Sequence, residues 1–235
     1  MLHMPDLLIV GTDTGVGKSV VSLLTMQLLF QNGYAPFYVK PFQTGCRDAH
    51  DTQSDAAFVY RHTAALCQSD AARSVIYCHP NPKAPYFAAR DAGERIDLDV
   101  VISRMQQYRK RHQPLVVEAA GGLMVPLTGN LMVIDIIGRL GCRPLLVARA
   151  GLGTINHTLL SIDALRRKGW PPVGVVFSEP GGREADPRLT AENMRAVESY
   201  GAVEVSGVIP RIENFKRPSA AALAPLKRLL FSGKH

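Results

Sequence analysis

Residues 7–19 read LLIVGTDTGVGKS, and this stretch decides the fold. The apolar run 7–10 predicts a buried strand, and a helix-like stretch at about 18–32 begins within the Gly-Lys-Ser triplet that closes the loop. A strand, a glycine-rich loop and a helix in this order are the context in which a phosphate-binding loop works. Glycines let backbone N–H groups turn inward around phosphate oxygens, and the helix N-terminus adds partial positive charge. The stretch therefore predicts a phosphate-binding loop from Gly11 to Ser19.

Two side chains of this loop have the chemistry that a nucleoside triphosphate needs. Lys18 can reach the β- and γ-phosphates, and the Ser19 hydroxyl can bind a magnesium ion. Five residues separate Gly11 from Gly17, one more than in the commonest form of the motif, and Thr12 stands where that form has its first glycine. An ordinary glycine-rich turn would leave Gly-Lys-Ser at a helix start unexplained. We therefore expect ATP to be bound here.

Outward from the loop, short apolar runs alternate with helix-like stretches. The predicted strands are residues 7–10, 37–39, 115–117, 145–148, 173–177 and 205–209. The predicted helices lie at about 18–32, 54–66, 97–111, 155–168 and 187–200. Such alternation is typical of a parallel sheet with right-handed crossovers. We predict an α/β fold with a single doubly wound, mostly parallel sheet of the P-loop NTPase type and helices on both faces. Residues 1–235 are expected to form one ATP-binding domain.

Local signals predict where several helices begin and end. Gly33, Gly169 and Gly201 stand just past predicted helices, where a residue in the left-handed conformation commonly ends a helix. Asp97 and Asp186 precede predicted helices and are expected to be N-caps, because a carboxylate there can accept a backbone N–H.

Prolines mark two further places. Pro41 follows Lys40 and is expected to stop the second strand, because proline has no N–H to donate to a neighbouring strand. The segment 78–91 contains three prolines and is predicted to be a loop. A long loop inside a compact α/β domain is often functional.

The composition is that of an ordinary globular protein, with 46% apolar and 20% charged residues. No stretch approaches the roughly 18 consecutive apolar residues of a transmembrane helix, and the N-terminus lacks the features of a signal peptide. The positive charges behind the net charge of +7 are scattered, so we expect no nucleic-acid partner. The four cysteines form no C-x-x-C pair and are expected to be reduced thiols. We predict a cytoplasmic protein with no membrane partner.

Three charged side chains outside the loop are candidates for the same site. Glu118 ends the strand 115–117, and a carboxylate at the C-terminal end of a parallel strand points into the ligand crevice. Asp55 opens a predicted helix and could join Glu118 at magnesium, which takes one or two carboxylates plus phosphate oxygens. Lys40 ends the second strand at the same edge, where it could stabilise a transferring phosphoryl group. Taken singly, each also has an ordinary explanation, as a solvent-facing strand end, a helix-dipole partner or an exposed lysine.

Together these features resemble the dethiobiotin synthase family over roughly residues 5 to 212. The matching segments are Gly11-Thr12-Asp13-Thr14 with Val16-Gly17-Lys18-Ser19, Lys40-Pro41 with Thr44-Gly45, Ser54-Asp55-Ala56, Glu118-Ala119-Ala120-Gly121-Gly122, the LGTINHTLL stretch at 152–160 and, more weakly, Gly207 with Ile209-Pro210. The five-residue gap in the phosphate loop is also a habit of that family. Each segment alone is modest support, but their order and spacing together are specific.

The resemblance implies a ligase of biotin biosynthesis that works as a homodimer. Carbon dioxide joins an amine of 7,8-diaminononanoate (diaminopelargonate) to give a carbamate, and ATP phosphorylates that carbamate. The second amine then closes the ureido ring of dethiobiotin, with release of ADP and phosphate. The implied partners are therefore diaminononanoate, carbon dioxide or bicarbonate, and ATP, with Mg²⁺ as cofactor.

By the same resemblance, Lys18 and Lys40 are the catalytic residues, because they would stabilise charge on the transferring phosphoryl group. The implied Mg²⁺ ligands are Ser19, Asp55 and Glu118. The implied nucleotide contacts are Thr14, Gly15, Val16, Gly17, Lys18, Ser19, Glu118, Gly121, Ser178 and Pro210. The implied substrate contacts are Thr14, Lys40, Thr44, Gly153, Thr154 and Asn156. The last three would present a helix N-terminus to the substrate carboxylate across the dimer interface.

The chain departs from the family pattern in three places. Gly15 stands where many members have glutamate, and Ala119 stands where glycine is usual. Ser178-Glu179 stands where the family commonly has Asn-Asp to read adenine. A serine has one hydroxyl where an amide offers both a donor and an acceptor. We therefore expect that another nucleoside triphosphate could replace ATP.

Two other functions remain open from the residues alone. One is a different enzyme of the same fold, such as a partitioning-type ATPase, a cobyrinate-type amidase or a nucleotide kinase. The loop has no extra lysine of the kind partitioning ATPases carry, segment 78–91 is no arginine-rich lid, and the chain is short for a further glutamine-transferring domain. The other is a non-catalytic nucleotide-binding module, which would have little need for the full metal and phosphoryl set.

Overall fold

The computed structural model describes residues 4–179 and 185–232. Within these ranges the strands are β1 (Leu7–Gly11), β2 (Phe37–Thr44), β3 (Val75–His79), β4 (Leu115–Gly122), β5 (Arg143–Arg149), β6 (Val175–Ser178) and β7 (Val205–Ile209). They form one parallel sheet in the order β3-β2-β4-β1-β5-β6-β7. Every residue of β1 is buried, as expected for a central strand that is covered on both faces.

The helices of the same ranges are α1 (Lys18–Gln31), α2 (Asp55–His62), α3 (Pro85–Asp91), α4 (Leu98–Arg109), α5 (Ile137–Leu140), α6 (Thr154–Arg167), α7 (Pro187–Gly201) and α8 (Ala220–Phe231). The carboxylates of Asp97 and Asp186 accept the N–H groups of Asp99 and Arg188, at 2.8 and 2.9 Å. Both N-cap predictions are therefore confirmed. No helix in the described residues is long and apolar enough to cross a bilayer.

Two apolar clusters lie on opposite faces of the sheet. One packs the sheet against α4, α5, α6 and α7, and the other packs it against α1, α2 and α8. The predicted class is thus confirmed: a doubly wound parallel sheet with helices on both faces. β2, β3 and β4 lie on one side of β1, with β4 inserted between β1 and β2, and β5, β6 and β7 lie on the other side. Ligands bind at the carboxyl edge of such a sheet where the direction of winding changes, and the phosphate loop lies there.

The prediction of a loop at 78–91 is wrong at both ends. Its start belongs to β3, and its end forms α3, so only residues 80–84 are loop. β3 is an edge strand with mostly half-buried residues, and it therefore lacks the continuous apolar signal of the central strands. Pro85 is the first residue of α3, a position where proline is favoured because the N–H there needs no helical partner.

The prediction that Pro41 stops the second strand is also wrong, because β2 continues to Thr44. β2 pairs with β4 through Val39, and from Lys40 onward it pairs with β3 on its other side. Pro41 has no N–H to donate, which is compatible with the end of the β2–β4 pairing at Val39 and the continuation of the β2–β3 pairing.

The helix ends follow the sequence in two cases and depart from it in a third. Gly33 and Gly169 have φ of 77° and 80°, which confirms their predicted left-handed conformation. Gly201 instead remains inside α7, and Ala202 takes the left-handed position at φ 42°. A Cβ at Gly201 would lie only 3.0 Å from the Ile162 side chain. The glycine is therefore needed for close packing of α7 against α6.

α8 was not predicted. Pro225 lies inside this helix, and an interior proline normally argues against a helix because it removes a hydrogen bond and crowds the preceding turn. Burial of Leu223 and Leu226 against α1 and the sheet outweighs that penalty.

Candidate active site

A cleft of about 720 Å³ opens at the carboxyl edge of the sheet. Loops that follow β1, β2, β3, β4 and β7 contribute to its lining. Ten predicted site residues line it: Thr14, Gly15, Gly17, Lys18, Ser19, Lys40, Thr44, Asp55, Glu118 and Gly121. The structure therefore brings the phosphate loop, both lysines and both carboxylates into one space.

The phosphate loop turns into α1 at Gly17, which has φ of 101°. A Cβ at this position would collide with the Ser178 hydroxyl, so only glycine fits both the angle and the contact. Lys18 opens the helix, and its Nζ donates to the Asp13 carbonyl oxygen at 2.8 Å. Its ammonium thus lies back over the loop, where the terminal phosphates of a triphosphate would be held.

Three oxygen-bearing side chains converge beside the loop. The Ser19 Oγ lies 2.7 Å from Asp55 Oδ1 and 2.9 Å from Glu118 Oε1. Ser19 is in the first turn of α1, and Asp55 is the first residue of α2. Glu118 lies within β4, which continues to Gly122, so the prediction that Glu118 ends this strand is wrong. Hard oxygen ligands of this kind suit Mg²⁺, which fills its remaining positions with phosphate oxygens and water. The residues present therefore fit the predicted cofactor.

Lys40 is held between the same two carboxylates. Its Nζ lies 2.7 Å from Glu118 Oε1 and 2.8 Å from Asp55 Oδ2. Lys40 is 4% exposed and Glu118 is 1% exposed, so each buried charge is compensated by a partner of opposite sign. The arrangement is a preformed cluster of charges on the wall of the cleft.

The buried phenol of Tyr38, in β2, orients this cluster from behind. Tyr38 Oη donates to Glu118 Oε2 at 2.8 Å. Burial and the nearby Glu118 carboxylate raise the pKa of Tyr38 well above its usual value, so the phenol remains a donor. Tyr38 was not predicted, because a tyrosine in an apolar strand has the pattern of an ordinary core residue.

The two lysines differ in protonation behaviour. Burial, followed by repulsion from Lys40, lowers the pKa of Lys18 to about 8. Burial also disfavours the Lys40 ammonium, but Glu118 and Asp55 outweigh that cost and raise the pKa of Lys40 above its usual value. Burial likewise opposes ionisation of Asp55, yet Lys40 holds the pKa of this carboxyl below its usual value. The surrounding carboxylates therefore favour the charged form of Lys40.

Gln43 is a second residue that the sequence did not indicate. Its Oε1 accepts the backbone N–H of Asp55 at 3.2 Å, and its side chain lines the cleft between the lysine cluster and Thr44. Thr44 ends β2, and Gly121 lies beside Thr14 of the phosphate loop. No residue pattern distinguishes Gln43 from other polar strand residues, so only the structure identifies it.

Other lining residues come from segments that the sequence treated differently. Pro82 to Pro85 fall within the proline-rich segment 78–91, and they line the cleft. Phe58 and Phe215 close another side. A helical phenylalanine and a phenylalanine after the last strand carry no signal of a binding site in the sequence.

Six predicted residues do not line this cleft: Val16, Gly153, Thr154, Asn156, Ser178 and Pro210. Val16 is packed in the core, so only its backbone could meet a phosphate. Ser178 is 2% exposed, and its hydroxyl lies under Gly17 at the end of β6. Pro210 follows β7 beside it, since Ser178 pairs with Ile209.

The predicted helix N-terminus is formed. α6 begins at Thr154 with Gly153 as its N-cap, and Gly153 and Asn156 are exposed. The segment lies after β5, outside the cleft of its own chain. The first N–H groups of a helix have no partner within the helix, so an N-terminus of this kind can bind an anion.

Chemically, the arrangement suits transfer of a phosphoryl group. A glycine-rich loop, two lysines and a carboxylate pair can position a triphosphate and neutralise the transferring group, which are the main requirements of that reaction. Among the described residues no set of three or more histidine, cysteine, aspartate or glutamate side chains could hold a metal by itself. A magnesium ion beside Asp55 and Glu118 would therefore also need Ser19 and phosphate oxygens as ligands.

The chain is similar to several known proteins. A protein family described as "AAA domain" matches residues 6–219. The ATP-dependent dethiobiotin synthetase BioD of Haloferax mediterranei is 40% identical over 194 residues, covering 80% of this chain and 79% of that protein. The protein of the same name from Paramagnetospirillum magneticum is 34% identical over 222 residues, covering 94% and 96% of the two chains.

Among solved structures, a ParA family ATPase from Chlorobium tepidum TLS has a TM-score of 0.60 at 14% identity. The match covers 97% of this chain and all of that one. At this identity the likeness supports the P-loop fold alone. The sequence relatives extend further, since they exceed 30% identity over most of both chains, and the chain belongs to the dethiobiotin synthetase family.

Proposed function

We propose that this protein is an ATP-dependent dethiobiotin synthetase, a ligase that closes the ureido ring in biotin biosynthesis. The observation that carries the proposal is the convergence of Lys18, Ser19, Lys40, Asp55 and Glu118 in one cleft. Family membership supports the choice of substrate. The substrates are 7,8-diaminononanoate, carbon dioxide or bicarbonate, and ATP, and the products are dethiobiotin, ADP and phosphate.

In this proposal Thr14 to Ser19 hold the phosphates through backbone N–H groups, with Lys18 over the terminal phosphates. Ser19, Asp55 and Glu118 would hold Mg²⁺, which would supply positive charge to neutralise the phosphates. Glu118, Gly121, Ser178 and Pro210 complete the proposed nucleotide contacts. The contribution of Ser178 would be indirect, because its buried hydroxyl lies against Gly17 and supports the phosphate loop from below.

The substrate amines lie between Lys40, Thr14 and Thr44. One amine adds to carbon dioxide and loses a proton to give a carbamate. A carbamate oxygen then attacks the γ-phosphorus, ADP leaves, and Lys18 and Lys40 stabilise the negative charge of the transferring group. The second amine attacks the phosphorylated carbonyl carbon, loses its proton and expels phosphate, which closes the ring.

The substrate carboxylate binds at the N-terminus of α6 from the other subunit of a homodimer. The residues proposed for this role are Gly153, Thr154 and Asn156. Two observations support it: the segment lies outside the cleft of its own chain, and the flanking Leu152 is 90% exposed, as an interface residue would be in an isolated subunit. The proposal includes a cytoplasmic location. Its support is that the four cysteines are free thiols, as is usual for proteins of that reducing compartment.

The alternatives fit the site less well. A non-catalytic nucleotide-binding module would have no use for Lys40 buried between two carboxylates, because keeping that charge cluster dehydrated is costly. Another P-loop ATPase would share the phosphate loop, but sequence relatives of this similarity carry the dethiobiotin synthetase name.

The test is phosphate release measured with each component omitted in turn, together with mass-spectrometric detection of dethiobiotin. We expect release to require diaminononanoate, bicarbonate, ATP and Mg²⁺. Lys18→Ala should lower turnover by about a hundredfold or more, whereas Lys227→Ala, an exposed lysine of α8 away from the cleft, should leave it unchanged. Phosphate release that ignores diaminononanoate would show that the assignment is wrong.

A further inference from the structure

Phe58 and Phe215 form an aromatic wall on one side of the cleft. Phe58 lies in α2 and Phe215 in the segment between β7 and α8, and both are half-buried. Their ring centroids are 5.0 Å apart in an edge-to-face arrangement, and both side chains line the cleft together with Val20. Part of the ring surface therefore remains open to a ligand.

The wall is held in place by one buried polar side chain. The Gln27 Nε2 in α1 donates to the carbonyl oxygens of Phe215 and His62, both at 2.8 Å. The His62 ring also contacts both phenylalanines, with centroid distances of 4.9 Å to Phe58 and 5.4 Å to Phe215. α1, α2 and the segment after β7 are thus tied together behind Phe215. The hydrogen bond holds the Phe215 backbone, and the rings of Phe58 and His62 pack against its ring.

The position of the wall relative to the phosphate loop indicates what it contacts. Val20 directly follows Ser19, and Phe58 is one helical turn after Asp55, so the wall adjoins the place where the triphosphate and its metal are proposed to lie. The side of the cleft near Thr44 is the proposed amine site. The nucleoside of the bound triphosphate must therefore extend from the phosphate loop away from Thr44. The aromatic wall offers the nucleoside an apolar surface on that side.

We propose that Phe215, backed by Phe58 and fixed by Gln27, packs against the nucleoside part of the bound triphosphate. This inference rests on the proposed function, because it assumes that the loop holds a nucleoside triphosphate. A phenyl ring has no hydrogen-bonding group, so it accepts purines and pyrimidines alike, whereas base-selective recognition needs donors and acceptors. The buried Ser178 hydroxyl presents no such group to the open cleft.

Calorimetric binding of ATP, CTP and inorganic tripolyphosphate, each with Mg²⁺, tests this contact. Phe215→Ala should weaken ATP and CTP by about tenfold, as expected for loss of an aromatic stacking surface. Tripolyphosphate has no nucleoside, so its affinity should be unchanged. Phe231→Ala is the matched control, because Phe231 ends α8 and pairs with Tyr34 instead of lining the cleft. It should leave all three affinities unchanged.

Unchanged ATP affinity in Phe215→Ala, or equal weakening of ATP and tripolyphosphate, would overturn the inference. A rise in the KM for diaminononanoate alone would assign the wall to the amine substrate and would also contradict it. If the alanine variant does not fold, Phe215→Leu retains apolar volume without the ring and should still weaken ATP more than tripolyphosphate. The binding assay is independent of turnover, so an inactive but ATP-binding wild-type protein would count against the proposed reaction and not against this contact.

Discussion

Lys18 and Lys40 end at the same cleft, but their surroundings shift their pKa values in opposite directions. Lys40 lies between two carboxylates and remains protonated. Lys18 is buried with its Nζ on a backbone carbonyl oxygen, and its pKa is lowered to about 8. A bound triphosphate would place negative charge next to the Lys18 ammonium. The site therefore favours the protonated form of Lys18 more strongly when the phosphates are bound.

This difference predicts proton uptake on nucleotide binding. Above pH 8 the free Lys18 is increasingly neutral, whereas a bound triphosphate raises its pKa, so binding must add a proton. ATP affinity should therefore be greatest below pH 8 and should fall by up to about tenfold per pH unit above it. Calorimetry at pH 9 in buffers of different ionisation enthalpy would measure the uptake.

Lys18→Arg provides the control for this titration, because arginine stays charged throughout the range. Its ATP affinity, whatever the absolute value, should lose the decline above pH 8. Wild-type binding at pH 9 without proton uptake would show that Lys18 is already protonated in the free protein.

At the scale of elements, the end of α7 divides close packing and the left-handed conformation between two residues, although a single glycine often provides both. Gly201 allows close contact with Ile162 in α6, while the neighbouring Ala202 adopts the left-handed conformation at φ 42°. For a residue with a Cβ this conformation costs roughly 1–2 kcal/mol. The prediction assigned the left-handed conformation to Gly201, because a local sequence pattern does not show which residue packs against α6.

Exchanging these roles should change stability in opposite directions. Ala202→Gly removes the left-handed penalty and should raise the free energy of unfolding by about 1 kcal/mol. Gly201→Ala introduces a Cβ at 3.0 Å from Ile162 and 3.2 Å from Leu159, and should lower it. Urea unfolding measures both. Stabilisation by Gly201→Ala would mean that α6 and α7 can move apart without cost.

For the whole molecule, the active site is proposed to need two chains. The cleft holds the phosphate loop and the charge cluster of one subunit, while Gly153 to Asn156 of that subunit lie elsewhere. If the helix N-terminus acts across the interface, an intact site draws Lys40 from one chain and Asn156 from the other. Symmetric dimers of this kind contain two such sites.

Mixing two defective proteins tests this arrangement. Lys40→Met removes the lysine of the cluster, and Asn156→Asp puts a negative charge where the substrate carboxylate is expected. After subunit exchange, half of the dimers should be mixed and should contain one intact site. Diaminononanoate-dependent phosphate release should then recover to about a quarter of the wild-type value. No recovery, despite exchange shown by mass spectrometry, would place both residues in the same site of one chain.

We also propose that residues 1–235 form a single P-loop domain. Both apolar clusters share the strands of one sheet, so neither face can lose its packing without exposing the other. Calorimetric unfolding should therefore show one transition whose calorimetric and van't Hoff enthalpies agree. Two separated transitions would contradict a single domain.

The sequence by itself determined the central strands, the phosphate loop and most helices. These depend on local patterns: continuous apolar runs, Gly-Lys-Ser before a helix, and capping aspartates. It also identified Lys18, Ser19, Lys40, Asp55 and Glu118 as candidates, because local patterns predicted each at a strand end or helix start, where a parallel sheet collects its ligands. The structure places Lys40 and Glu118 within β2 and β4 instead of at their ends.

Only the tertiary structure decided the features that depend on contacts between distant segments. β3 is an edge strand without a strong apolar pattern, and α8 forms around Pro225 because its leucines are buried. In the sequence, Tyr38 and Phe215 resemble ordinary apolar residues. In the structure, Tyr38 donates a hydrogen bond to Glu118 of β4, and Gln27 holds the backbone of Phe215 beside the cleft. Their roles arise from packing across the fold, and no local pattern in the chain records which distant residue will be the neighbour.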